Sequence, residues 1–357
     1  MPRLRDLGLA PGRLAVGPHN AITDVAGVRV GHATILDGAE GPRNTGVTAI
    51  LQHSGDLFAE RVAGAFAVLN GSGEVYGREF VDEMGILDAP IMLTGSLNVA
   101  RVADAVITET IRRHPEVGEG RRFVHPLVAE CSDAYFSDLG ARPVGEAETV
   151  SAWRTAAEGA VREGSVGAGT GLVSFELKAG IGTASRRAPI AGEEYVVGVL
   201  VSSNTGVREQ LMVDGVPVGS ELDVPRPSWV QHGSIVIVVA TDAPLGPRQL
   251  GRLAKRGFLG LARTGAAAHN GSGDFAIAFS TANRFELDRP LHTIRELDND
   301  AVSPLFDAVC EATAEAIWNA LCAAEDLTGR GGNWAPALPH ERLVRLLARH
   351  GRIEPPS

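Results

Sequence analysis

Gly233-Ser234 stands directly before the apolar run Ile235–Thr241, and this pair suits a particular kind of chemistry. A serine hydroxyl can attack the carbonyl of the residue before it. Glycine has no Cβ and tolerates the backbone geometry that attack requires. Hydrolysis of the resulting ester would leave Ser234 at the head of a new chain with a free α-amine. An α-amine ordinarily titrates at about 7.7–8.0, well below lysine, so it can act as a base toward the adjacent hydroxyl. Ser234 is therefore a candidate nucleophile, and Gly233–Ser234 a candidate cleavage site. The same two residues also suit an ordinary turn into a strand.

A hydrolase built on Ser234 needs a path for its proton, donors for an oxyanion and an anchor for the substrate. Asn270-Gly271-Ser272-Gly273-Asp274 opens the strand-like run Phe275–Phe279. Ser272 and Asp274 are two apart, which in extended chain places them on one side. There Ser272 can pass a proton and Asp274 can orient it, although the five residues also make a good tight turn. Asn204 follows the run Tyr195–Ser203. Its amide can donate to an oxyanion, or it can serve as a turn residue before Thr205-Gly206. Glu130 follows the run Phe123–Val128. A carboxylate there can hold a substrate ammonium, or be an ordinary solvated acid. His232 and His269 are alternative bases for Ser234.

Other chemistries lack their spacing. Gly167-Ala168-Gly169-Thr170-Gly171 fits neither GxxxxGK[ST] nor GxGxxG, and reads as a close backbone turn. The ten histidines contain no HExxH and no i, i+4 pair with a third ligand nearby, so neither a metal nor another cofactor is expected. No GxSxG elbow occurs. The three cysteines, Cys131, Cys310 and Cys322, are odd in number and form no CxxC, which suits a reduced, cytoplasmic setting without disulfides. A formal charge of −10 and 5% aromatic residues argue against a nucleic-acid or anionic-membrane surface. The N-terminal stretch has no sustained apolar segment of a secretory signal, and no apolar run approaches the ~20 residues of a membrane span.

These residues must be positioned by alternating strands and helices. Gly64–Leu69, Pro90–Leu93, Phe123–Val128, Tyr195–Ser203, Ile235–Thr241 and Phe275–Phe279 read as buried strands. Leu97–Arg113 and Pro247–Arg263 read as helices from apolar residues at three- and four-residue spacing, the second with proline in its first turn. Pro304–Ala324 is a long alanine-rich helix that buries Cys310 and Cys322, and Leu343–Ala348 a short terminal one. The segment Asp214–Gln231, with three prolines, reads as a loop leading to Ser234 rather than a domain linker. No internal repeat of fixed period is evident.

Six further blocks extend the pattern: ITDVAGVRVGH (22–32), NTGVTAI (44–50), NGSGEVYG (70–77), SVGAGTG (165–171), GIGTASR (180–186) and VGVLVSSNTG (197–206). With residues 233–283 they resemble, in this order, the DmpA-type aminopeptidases, self-processing relatives of the N-terminal-nucleophile hydrolases. The resemblance implies a mixed α/β fold, a four-layer αββα sandwich of the DmpA and ornithine acetyltransferase type, in one domain over 1–357. It implies cleavage into chains 1–233 and 234–357, and assembly as tetramers of the cleaved unit. It implies an acyl-enzyme at Ser234, the oxyanion role for Asn204, and active-site positions for Ser272 and Asp274. Glu130 would bind the substrate amine. Relatives carry a tyrosine two residues after this glutamate; here the position is Ser132, and Tyr135 is out of register. That departure bears on substrate preference. The expected substrates are short peptides, amino-acid amides or esters with a free amine. Two other readings remain: an N-acetylornithine-type acyltransferase, which uses a threonine nucleophile in a different block, and an unprocessed, non-catalytic homologue.

Overall fold

The computed structural model describes residues 2–120, 122–228 and 233–354. His232 and the end of the segment leading to Ser234 lie outside the described residues. In chain order the first strands are β1 (Arg29–Leu36), β2 (Asn44–Leu51), β3 (Glu60–Gly71), β4 (Val75–Tyr76), β5 (Ile86–Leu87), β6 (Ile91–Gly95) and β7 (Leu127–Cys131). There follow β8 (Val173–Ser174), β9 (Leu177–Lys178), β10 (Ile181–Ile190), β11 (Glu193–Asn204), β12 (Ser234–Thr241), β13 (Gly273–Glu286), β14 (Leu327–Thr328) and β15 (Trp334–Ala335). The α-helices are α1 (Arg78–Met84), α2 (Val99–Arg113), α3 (Glu146–Arg154), α4 (Val218–Glu221), α5 (Pro247–Arg263), α6 (Ser303–Cys322) and α7 (His340–Arg349).

Two sheets dominate, with strand orders β1-β2-β6-β7-β4 and β10-β11-β12-β13-β3-β5. Neighbours are antiparallel except β6 with β7 and β12 with β13. A parallel neighbour cannot be reached by a tight turn and needs a crossover. Helix α2 supplies it for the first pair and α5 for the second.

Successive residues of a strand face opposite ways, so each sheet feeds two cores. Ile50, Leu93 and Ala129 of the first sheet meet Val236, Val238 and Ile277 of the second between the sheets. Outside the first sheet, Val47, Met92 and Val128 pack with Val102 and Val106 of α2 and Trp153 of α3. Outside the second, Ile235, Ile237 and Val239 pack with Leu250 and Leu253 of α5 and Ile317 of α6. Three cores between four layers make the αββα sandwich that the resemblance implied. They also explain why β12 is apolar at every position after Ser234 up to Ala240: a strand covered on both faces buries both sets of side chains. Helix α6 is rich in alanine because backbones touch there. A Cβ on Gly182 of β10 would fall 1.9 Å from the Ala316 carbonyl oxygen. Cys310 and Cys322 are buried in α6 as expected.

Three local expectations shift. Helix α2 starts at Val99 rather than Leu97, which is exposed with φ at 64°. Strand β7 starts at Leu127, after Pro126, so Glu130 lies inside a strand rather than beyond its end. Strands β1, β2 and β10 were not anticipated from their mixed small and polar residues. In β10 that mixture is the buried Arg186 and Ser185, whose polar groups are paired inside the fold.

Candidate active site

Register brings Asn204, Ser234, Ser272 and Asp274 to one rim of the second sheet, while Glu130 and Ser132 come from β7 of the first sheet and the residues just beyond it. β11 runs antiparallel to β12, β12 parallel to β13, and β13 antiparallel to β3. The end of β11, the starts of β12 and β13, and the end of β3 must therefore lie together. Asn204 is the cross-strand partner of Ser234. Ser234 is buried, and its Oγ accepts a hydrogen bond from the Gly273 N–H at 3.2 Å. A small cleft lined by Thr205, Gln210, Gly233, His269 and Ser272 opens beside it. The chain before Ser234 passes tightly against β11. A Cβ on Gly233 would fall 2.0 Å from the Asn204 carbonyl oxygen and 2.5 Å from Thr205 Cα. Glycine is needed here for space, an argument that complements its tolerance of carbonyl attack.

Ser272 and Asp274 do share a side. Ser272 Oγ donates to Asp274 Oδ1 at 2.7 Å, and Asp274 Oδ2 accepts from Asn70 Nδ2 at 3.1 Å. Burial raises the Asp274 carboxyl above its ordinary pKa, while the bonds from Ser272 and Asn70 pull the other way. Among the described residues Ser234 Oγ is bonded by the Gly273 N–H and not directly by Ser272 or Asp274, so the intervening backbone ties the pair to Ser234.

The Asn204 amide is fixed at both ends. Its Oδ1 accepts from the Val173 N–H at 2.9 Å, and its Nδ2 donates to the Ser132 carbonyl at 3.0 Å. An amide nitrogen carries two hydrogens, so one remains for an oxyanion. Ser132 thus contributes its carbonyl as well as occupying the position of the expected tyrosine. Tyr135 does not replace that tyrosine: it is buried, and its hydroxyl donates to the Trp334 carbonyl at 2.9 Å. His269 lies 3.0 Å from Gln210 through its Nε2, and its carbonyl receives the Ser272 N–H.

Glu130 is buried. Its Oε1 accepts from the Glu74 N–H at 3.2 Å, and its Oε2 accepts from the Ser96 hydroxyl. Burial raises its pKa above the usual carboxylate range, partly offset by these two donors. The turn 70–74 joins this acid to the neighbours of Ser234. Asn70 holds Asp274, the Ser72 N–H donates to the Ser272 carbonyl at 3.3 Å, and the Glu74 N–H holds Glu130. Gly73 passes closely enough that a Cβ would be 3.0 Å from both Glu130 Oε1 and the Phe275 ring.

Asn70, Ser96 and the 70–74 turn were absent from the sequence-based site. A signal for them existed: Asn-Gly-Ser-Gly-acid occurs at 70–74 and again at 270–274, and the two copies pair through Gly71 with Gly273 and Asn70 with Asp274. Two isolated copies set up no period. Among the described residues no cluster of three or more His, Cys, Asp or Glu can hold a metal ion. No helix of the described residues is long and apolar enough to cross a membrane.

The layered architecture is of the N-terminal-nucleophile hydrolase type, and comparison with known proteins narrows it. A family model for Peptidase family S58 matches residues 20–335. The beta-peptidyl aminopeptidase BapA of Sphingosinicella microcystinivorans is 40% identical, over 99% of this chain and 93% of its own. A Burkholderia sp. beta-aminopeptidase structure superposes with a TM-score of 0.90 at 40% identity, covering 98% of this chain and 99% of its own. The L-aminopeptidase D-Ala-esterase/amidase of Ochrobactrum anthropi, described as a prototype for the serine aminopeptidases and a new variant of the Ntn hydrolase fold, superposes at 0.92. It is 36% identical, covering 99% of this chain and 100% of its own. This chain belongs to Peptidase family S58 and is a hydrolase of peptide or amide bonds. These matches do not favour the acyltransferase reading.

Proposed function

We propose that the chain is a self-cleaving aminopeptidase that works through an acyl-enzyme on Ser234. The observation that carries this reading is the junction itself: Ser234 opens a central strand, with the Gly273 N–H on its hydroxyl and Asn204 opposite it. Attack of Ser234 Oγ on the Gly233 carbonyl forms an ester as the Gly233–Ser234 C–N bond breaks and the Ser234 amine leaves; hydrolysis of that ester then regenerates the hydroxyl and separates the two chains. In turnover the same hydroxyl attacks the substrate carbonyl. The freed amine takes the proton and returns it to the leaving group, with Ser272 and Asp274 as the adjoining relay. The remaining Asn204 N–H and a backbone N–H stabilise the oxyanion, and water then releases the acyl group. Glu130 receives the substrate ammonium.

The substrates are short peptides, amino-acid amides or esters with a free amine. The names of the relatives support both β-peptidyl and L-aminoacyl or D-alanyl substrates. Glu130 accounts for the free amine and leaves the spacing of amine to carbonyl open to either class. The protein acts in the cytoplasm, and its cleaved units assemble as tetramers. Denaturing mass spectrometry of the purified chain tests the proposal. Two species are expected, the smaller beginning Ser-Ile-Val-Ile, co-eluting on a native sizing column. A single species of 37.4 kDa that stays intact and hydrolyses aminoacyl p-nitroanilides would refute self-cleavage as a condition of activity.

A further inference from the structure

Lys178 ends β9, the second strand of the small hairpin β8–β9, and is wholly buried. Its ammonium donates to three carbonyls: Ala179 at 2.6 Å, Leu172 at 3.0 Å and Gly169 at 3.3 Å. Three hydrogens meet three acceptors, so the group is saturated. Among the described residues it is bonded by no carboxylate. Its charge is held by peptide dipoles and by the Phe136 ring, whose centroid lies 5.9 Å from Nζ, and burial lowers its pKa to about 7. A lysine kept in the interior on those terms is an expensive way to brace a loop, since an apolar side chain would carry no such penalty.

What the brace holds is specific. The Leu172 carbonyl and the Val173 N–H belong to one planar peptide unit. Lys178 bonds its oxygen edge, and Asn204 Oδ1 receives its N–H edge at 2.9 Å. A cation on the carbonyl both orients that plane and polarises its N–H, strengthening the second bond. With Oδ1 occupied, the Asn204 amide must present its nitrogen the other way, to Ser132 and the start of β12. The rest of the hairpin is tied to the end of β11 without Lys178. Ser174 Oγ meets Ser203 Oγ at 2.8 Å, the Thr205 N–H donates to Ser174 Oγ at 3.1 Å, and the Phe175 N–H donates to the Thr205 carbonyl at 2.7 Å.

We propose that Lys178 is a positioning residue for the amide of Asn204, acting through the Leu172–Val173 peptide plane to aim that amide at the oxyanion of the Ser234 reaction. The inference rests on the reading of Asn204 given above. It predicts a loss in the transition state rather than in substrate binding.

The test uses the full chain carrying K178M, with kcat and KM measured on an aminoacyl p-nitroanilide and processing followed by mass. A correctly placed oxyanion donor contributes about 100- to 1000-fold to kcat, so its misplacement should lower kcat at least about tenfold. KM should stay within about twofold, and self-cleavage should slow in parallel. K178Q, which keeps a donating head, serves if K178M does not fold and should show the same split more weakly. An unchanged kcat, or a raised KM with kcat intact, overturns the inference. N204A separates it from its parent. If N204A alone leaves kcat unchanged, the oxyanion reading of Asn204 falls and this inference with it. If N204A lowers kcat and K178M lowers it by the same further factor in both backgrounds, only the role of Lys178 falls.

Discussion

The chemistry proposed here depends on a few side chains whose surroundings set their behaviour. Ser234 is small and lies at the end of its strand, so Ser234→Ala removes the proposed nucleophile and little packing. That variant should remain a single folded chain by mass and circular dichroism, with hydrolysis reduced at least ~1000-fold. Residual turnover near the wild-type rate would place the nucleophile elsewhere. Glu130 makes a different kind of prediction, because its two donors orient it but do not neutralise it. A charge-assisted bond to a substrate ammonium contributes about 1.5–3 kcal/mol, so Glu130→Gln should cost about tenfold to a hundredfold in kcat/KM on substrates with a free amine. N-acylated substrates should be little affected, and cleavage at Gly233–Ser234 should proceed, since that reaction has no free amine to bind. Equal losses on both substrate types would make Glu130 a structural acid.

Strands do the positioning, and they do it through pairing. Ser234, Asn204 and Asp274 are brought together because β11 and β13 flank β12 in opposite senses. The parallel β12–β13 pair is possible only because α5 intervenes between them. The junction before β12 leaves no room beside β11, where a Cβ on Gly233 would lie 2.0 Å from the Asn204 carbonyl oxygen. Gly233→Ala must therefore push the two strand ends apart. We expect a destabilisation of about 1–3 kcal/mol in denaturant unfolding and a slowed or absent self-cleavage in the mass spectrum. Normal processing with unchanged stability would show that the strand ends yield freely.

Cleavage would divide the molecule unevenly but not open it. Residues 234–357 contribute β12, β13, α5 and α6, and these pack on β3, β10 and β11 from the other side of the cut. A buried ion network crosses the same divide. Arg186 of β10 bonds Glu311 at 3.0 Å and Glu315 at 2.6 Å on α6, and Glu315 also receives Arg5 and Asn20. Burial opposes ionisation of Glu315, but Arg5 and Arg186 hold its carboxyl below its usual range. The fold also keeps a carboxyl that shifts the opposite way. Asp133, just beyond β7, is wholly buried, and burial lifts its pKa from 3.8 to about 7. A folded state with the higher pKa holds a proton that the unfolded chain releases, so stability falls as pH rises from about 4 to 7. Asp133→Asn removes that slope. The melting temperature of the variant relative to the wild type should climb across this window and level off above it. A difference independent of pH would mean that Asp133 keeps an ordinary pKa.

Much of this was legible along the chain, and the boundary has a physical cause. The Gly233-Ser234 pair, the Ser272–Asp274 spacing and the long apolar run of β12 are local properties, so the junction, the shared side of Ser272 and Asp274 and the buried central strand could be read from the chain, while the roles proposed for these residues came from the resemblance. Helix α5 was equally plain, since its apolar stripe and N-terminal proline are periodic and adjacent in sequence. The strands of mixed polarity were not, because β2 and β10 bury small and polar residues on both faces and show no alternation to read. Nor were the partners of the site. That Asn70 steadies Asp274, that one turn links Ser272 to Glu130, and that a peptide plane braced by Lys178 orients Asn204 are contacts between residues far apart in the chain. Strand register and the meeting of layers decide such contacts, and no periodicity of the chain encodes them.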